Sequence, residues 1–229
     1  MSKKCEEMNG DLTIILVYMN GDLHYTCGGK VDLCMDKPVF KRKIYDEIYE
    51  WKENRSDKYA LLIKGARRVG KSTIAEEFAK KEFKSYILID FAHTSKAIID
   101  LFDDTYDLDF FFLQLQQLMG IRLYEKESVI IFDEVQLFPK ARQAIKYLVA
   151  DGRYKYIETG SLLSIKKNTK DILIPSEEHK ISMFPMDFEE FLWAIGDEVS
   201  AETIRHLIKN KKPAGNAMHR NLMRIFRLY

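Results

Sequence analysis

The residues with the clearest chemical meaning form one short run: Gly65, Ala66, Arg67, Arg68, Val69, Gly70, Lys71, Ser72 and Thr73. They fit the pattern G-x-x-x-x-G-K-[ST] without a mismatch. Glycine at 65 and 70 lets the backbone enter turns that a Cβ would close, so that successive N–H groups converge on phosphate. An apolar run over 59–63 precedes the loop and a helical pattern over 71–83 follows it. A helix opening near Lys71 brings the positive end of its dipole to the same point. Lys71 supplies a mobile point charge for the β- and γ-phosphates, and Ser72 a hydroxyl ligand for Mg2+. Residues 65–73 are therefore the expected nucleotide-binding set, with ATP and Mg2+ as cofactors.

A second cluster follows four apolar residues, Val129, Ile130, Ile131 and Phe132, which lead into Asp133 and Glu134. A buried strand that ends in two carboxylates leaves them at its C-terminal edge, where ligands sit in open α/β sheets. Asp133 is expected to hold Mg2+ through water, beside Ser72. Glu134 is placed to orient or deprotonate an attacking water. A third cluster, Thr159 and Ser161, ends the next apolar run, where a small hydroxyl reaches the γ-phosphate or that water; a plain strand-to-turn sequence is the alternative. The catalytic candidates are thus Glu134, Lys71, Thr159 and Ser161, and the metal candidates Ser72 and Asp133.

The same residues exclude some chemistry. A GTPase would carry an aspartate-x-x-glycine switch and an Asn-Lys-x-Asp base reader, whereas Asn168, Thr169, Lys170 and Asp171 hold similar letters in the wrong order. A glutamate beside the metal-binding aspartate argues for water as acceptor rather than a small-molecule hydroxyl.

These groups need a frame that carries them to one edge. Apolar runs at 59–63, 85–90, 128–133, 154–159 and 180–184 read as strands. Helical patterns lie between them: Ile44, Ile48 and Trp51 with Tyr45 and Tyr49; residues 71–83; 107–119, with Phe111, Phe112, Leu115 and Leu118 inward; and 139–149. Short apolar strands that alternate with helices predict a parallel sheet covered on both faces. An apolar run ending at Asn20 and Gly21 signals a hairpin in the first 36 residues.

Composition sets the outer bounds. The 229 residues suit one domain, or one and part of another. Hydrophobic residues at 46% and charged residues at 31% describe a soluble globular chain. Lys plus Arg, 36, nearly cancels Asp plus Glu, 35, so total charge points to neither nucleic acid nor membrane. No apolar stretch approaches the roughly 20 residues that cross a bilayer. Three cysteines, Cys5, Cys27 and Cys34, form no disulfide framework, which suits a reducing cytoplasm. Zinc ligation by His24, Cys27 and Cys34 lacks the paired short spacing, so ordinary thiols are the alternative. After residue 200, seven basic residues stand against one acid, Glu202.

Longer stretches resemble one prokaryotic family of AAA-type P-loop ATPases. They are Lys41 to Tyr45 (Lys-Arg-Lys-Ile-Tyr), Trp51 with Lys52, the loop at 65–73, and Ile89 with Asp90 and Phe91. Phe132 to Gln136 (Phe-Asp-Glu-Val-Gln), Glu158 to Ser161 (Glu-Thr-Gly-Ser), 174–178 and 185–191 extend the likeness. The resemblance implies a P-loop NTPase three-layer α/β sandwich of the additional-strand class, in which another strand separates the P-loop strand from the one ending in Asp133. It also implies a C-terminal nuclease-like domain of unknown function after the ATPase core. The expected organisation is an extension at 1–36 without counterpart in the family, a core at 37–200, and a helical start to a truncated second domain at 201–229. In such families an arginine from a neighbouring subunit often completes the site. Arg142 and Arg153, expected near the sheet's C-terminal edge, and Arg67 and Arg68 in the loop are candidates, with solvated arginines as the alternative.

The expected partners are ATP and a second copy of the chain. Nucleic acid rests on the basic tail alone, and no membrane is expected. Asp100, Asp103, Asp104, Asp107 and Asp109 cluster ahead of the Phe-rich helix, where they suit its N-terminus. The expected reaction is Mg-dependent ATP hydrolysis. A nucleotide-dependent switch with little turnover, or a DNA-associated ATPase, is the alternative.

Overall fold

A computed structural model describes residues 15–19, 22–27, 30–32, 40–103, 105, 107–161 and 176–229. The chain divides into two compact units, Met1–Val39 and Phe40–Tyr229. In the first, strands β1 (Ile15–Met19), β2 (Asp22–Cys27) and β3 (Lys30–Asp32) form an antiparallel sheet in that order. Met19 pairs with Asp22 at the end of the β1–β2 ladder, and the Asn20 and Gly21 of the expected hairpin lie outside the described residues. The third strand carried no sequence signal of its own. Zinc ligation by His24, Cys27 and Cys34 concerns side chains outside the described residues, as do Asn168 to Asp171.

The second unit is built on five strands: β4 (Ala60–Gly65), β5 (Ser85–Asp90), β6 (Ser128–Asp133), β7 (Lys155–Ser161) and β8 (Glu178–Met183). All pairings are parallel, in the order β5-β6-β7-β4-β8. Helix α1 (Ile44–Asn54) precedes β4, and α2 (Lys71–Glu82), α3 (Lys96–Leu101), α4 (Leu108–Met119) and α5 (Pro139–Asp151) run between the strands. Each β6 side chain is buried, and the side chains alternate between two cores. Ile130 and Phe132 face one core with α3, α4 and α5, where Phe111, Phe112, Ile145 and Leu148 pack. Val129 and Ile131 face the other, with Ile48 and Trp51 of α1 and Ile74 and Phe78 of α2. This is the three-layer α/β sandwich of the P-loop class, and β7 is the strand inserted between β4 and β6.

Helix ends follow local chemistry. The Asp107 carboxylate accepts from the Phe110 amide at the start of α4, which is the N-terminal role expected of the acidic cluster. Gly120 and Gly152 close α4 and α5 in left-handed backbone. One inward expectation fails, because Leu118 is 48% exposed on α4, and Tyr49, grouped with the apolar positions of α1, is 45% exposed. The apolar stripe of each helix is narrower than its sequence pattern. Three further helices, α6 (Phe188–Ala194), α7 (Glu198–Lys209) and α8 (Asn216–Phe226), enclose a small core of Leu192, Ala201 and Ile225. Helix α7 runs unbroken through residue 201, where the sequence reading placed a boundary. The end of α8 folds back, with the Phe226 and Tyr229 rings against Phe188.

Candidate active site

The loop after β4 opens α2 with Gly70 in left-handed backbone at φ 93°, a conformation that needs glycine. Gly65 is required for a different reason. A Cβ there would collide with the Met183 carbonyl oxygen, so its glycine permits β8 to pack closely against the end of β4. Turn-forming freedom, the expected reason, applies at 70 and not at 65. Arg68 also takes left-handed backbone, at φ 63°.

No side chain caps the N-terminus of α2 and no acid lies in its first turn, whereas Asp107, Asp187 and Asp197 cap α4, α6 and α7. The leading N–H groups of α2, like those of other helix starts, favour an anion. Lys71 is 4% exposed, and its Nζ donates to the Ala66 carbonyl at 2.8 Å, closing over the loop. Burial lowers its pKa, the charges of Glu134 and Asp133 oppose that change, and Arg67 adds to it. A desolvated ammonium gains most when a phosphate arrives beside it.

Asp133 ties the three clusters together. Ser72 Oγ donates to its Oδ1 at 2.7 Å, and Thr159 Oγ1 donates to the same oxygen. Thr159 also accepts from the Glu134 amide at 3.2 Å. Its hydroxyl, fully buried, is therefore engaged with the end of β6. Ser161, at the end of β7, pairs in register with Gly65 and lies beside the base of the loop. Serine hydroxyl and aspartate carboxylate are the hard oxygen donors that Mg2+ accepts, with its remaining positions filled by phosphate and water. Ser72 and Asp133 therefore fit that ion.

Glu134 sits directly after β6 with φ 53°, and Gln136 Nε2 donates to its carboxylate. Gln136 stood inside the Phe132 to Gln136 stretch without an assigned role. Two arginine candidates are corrected. Arg142, 3% exposed, forms a two-pronged pair with Glu178, at 2.6 and 2.8 Å, inside the fold. Arg153 lies before β7, at the opposite end of that strand from Thr159 and Ser161, and pairs with Asp151 and Asp109. Both serve their own chain. Arg67 and Arg68 remain exposed in the loop.

Sheet order, loop and paired acids define the P-loop NTPase fold of the additional-strand class. Residues 57–192, more than half of the chain, match the AAA domain family, and the chain belongs to it. A comparison with curated proteins finds no match. Among solved structures, a closed-state reconstruction of Hsp104 with ATPγS and FITC casein is 16% identical, with a TM-score of 0.46. C. elegans PCH-2 is 9% identical, with a TM-score of 0.33. The alignments cover 71% and 73% of this chain but only 30% and 44% of those chains. The fold assignment stands on the sheet order and the family match rather than on either likeness.

Proposed function

We propose that this chain binds Mg·ATP and hydrolyses it to ADP and phosphate. The observation that carries the reading is the junction at Asp133, where Ser72 of the loop helix and Thr159 of β7 both donate to one carboxylate, next to Glu134. In this reading the amides of 65–72 and the Lys71 ammonium hold the β- and γ-phosphates. Lys71 exchanges the Ala66 carbonyl for phosphate oxygens. Ser72 and Asp133 would hold Mg2+, which when bound would offset the charge of the phosphates. Glu134, freed from Gln136, accepts a proton from the attacking water. Ser161 lies nearest the loop among the β7 hydroxyls, and Thr159 fixes the line of β6. Any transition-state arginine must come from Arg67, Arg68 or a second copy of the chain. The cysteine pattern favours action in the cytoplasm.

The test is phosphate release from Mg·ATP by the purified chain beside Lys71→Ala and Glu134→Gln. Lys71→Ala is expected to lose binding. Glu134→Gln is expected to keep ATP while turnover falls by about 10²–10⁴-fold, the scale of a lost general base. Binding without turnover in the unaltered chain would instead leave a nucleotide-dependent switch. Its structural support is the grip of Gln136 on Glu134.

A further inference from the structure

The segment just ahead of α1 touches both the nucleotide loop and the C-terminal helices. Arg42 Nη1 donates to the Val69 carbonyl at 3.0 Å, within the loop. Its Nη2 donates to the Phe184 carbonyl at 2.6 Å, directly after β8. Its Nε lies 3.2 Å from Glu190 Oε1 in α6, an ion pair whose direction falls short of a hydrogen bond. Both partners are nearly buried, at 10% and 7% side-chain exposure. One planar guanidinium therefore spans three elements, and Arg42 lies outside the residues matched to the family.

Glu190 is no passive end to this chain of contacts. It closes the capping box of α6 with Asp187 and accepts from the Lys43 amide at 2.7 Å. Lys43 pairs with Asp187 and Glu189, and the Lys41 ammonium stands 4.7 Å from the centre of the Trp193 ring. Residues 41–43 thus meet the loop on one side and grip the first turn of α6 on the other. The guanidinium fork is rigid and its donors are fixed relative to one another. A shift of the Val69 carbonyl must therefore break a contact or carry the fork, and α6 with it.

We propose that Arg42 is a positioning residue that transmits occupancy of the nucleotide loop to α6, with Trp193 moving as a consequence. The inference rests on the nucleotide-binding reading above. It requires one physically continuous element with two arrangements, both of which bear on the loop and on α6.

The experiment uses the full chain and two readouts: titration with mant-ADP for affinity, and tryptophan emission on addition of unlabelled ADP. The chain has two tryptophans, and Trp51 is buried in α1. In the unaltered chain ADP is expected to change the emission, and Trp193→Phe to abolish that change. Arg42→Met is expected to weaken mant-ADP about tenfold, the scale of one lost charge-assisted hydrogen bond, and to show no emission change at saturating ADP. Glu190→Gln keeps one oxygen for the α6 cap and loses the charge and the second acceptor, the one that serves the Lys43 amide and faces Arg42. It is expected to bind mant-ADP with unchanged affinity and to blunt the emission change, a split that a folding defect would not produce. A full-sized change in Arg42→Met at saturation would overturn the proposal. So would an unaltered chain that binds mant-ADP and leaves Trp193 unmoved. Failure of the unaltered chain to bind mant-ADP at all would remove the nucleotide reading and this inference together.

Discussion

Glu158 lies on β7 immediately before Thr159, fully buried, and neither carboxylate oxygen has a hydrogen-bond partner among the described residues. Burial, and then the charge of Glu178, push its carboxyl well above the usual range, while Arg142 and Lys180 pull the other way. For an acid with a raised folded pKa, the native state retains a proton that the unfolded chain has released. Stability therefore falls as pH rises through the unfolded value, near 4.5, and stays reduced at neutral pH. Glu158→Gln, which keeps the shape without the charge, is expected to raise the melting temperature at pH 7 to 8. The gain should shrink toward pH 4.5. A gain that is constant across that range would locate the effect in packing instead. Glu158 stands in a stretch that carries the family likeness, but nothing in the sequence marks it as a buried acid without a partner, because burial beside a second carboxylate is created by the assembly of the sheet. The two loop glycines show the same limit from another side. Their positions follow from the motif, but the close approach of Met183 that requires Gly65 appears only when β8 is in place.

Between elements, α5 and β8 are joined by the pair of Arg142 and Glu178, buried on the face that also holds Glu158. Removal of one partner from such a pair strands a charge in the interior, at a cost of about 3–5 kcal/mol. Arg142→Ala should accordingly lower thermal stability severely, by itself and before any nucleotide is added. An arginine acting on a neighbour's nucleotide would behave differently, with a normal melt and a selective loss of turnover. Thermal melts beside phosphate release separate the two. The strands themselves were legible. Residues 85–90 and 128–133 form β5 and β6 with the bounds the apolar runs suggested, since a strand buried on both faces reads as continuous apolar sequence. Helices α3 and α6 were not delineated. They are short, and α6 takes its start from the Asp187 and Glu190 capping box rather than from periodicity. The role of Arg42 was equally hidden, because its contacts reach 27 and 142 residues along the chain.

At the scale of the molecule, every candidate site residue belongs to the unit Phe40–Tyr229. A chain that starts at Met35 is therefore expected to keep the thermal transition and the mant-ADP affinity of the full chain. A marked loss of either would show that the first unit contributes to the second. Among the described residues no helix is long and apolar enough to cross a membrane. The basic stretch after residue 200 resolves into α7 and α8, whose outward faces also carry Val199, Ile208 and Met223.

The strand that leads into the nucleotide loop sits between two partners that both come later in the chain. Its neighbours β7 and β8 follow β4 by roughly a hundred residues, a separation that slows pairing because loop closure precedes any gain. On a ribosome, the loop at 65–73 leaves the exit tunnel early, yet the carbonyl that packs against Gly65 is not synthesised until Met183. The early product can pair β5 with β6, which come nearer to one another in sequence, but it has nothing to flank β4. Competence to hold nucleotide is thus expected only once Met183 has been added, and a nascent chain arrested before residue 178 should not retain it.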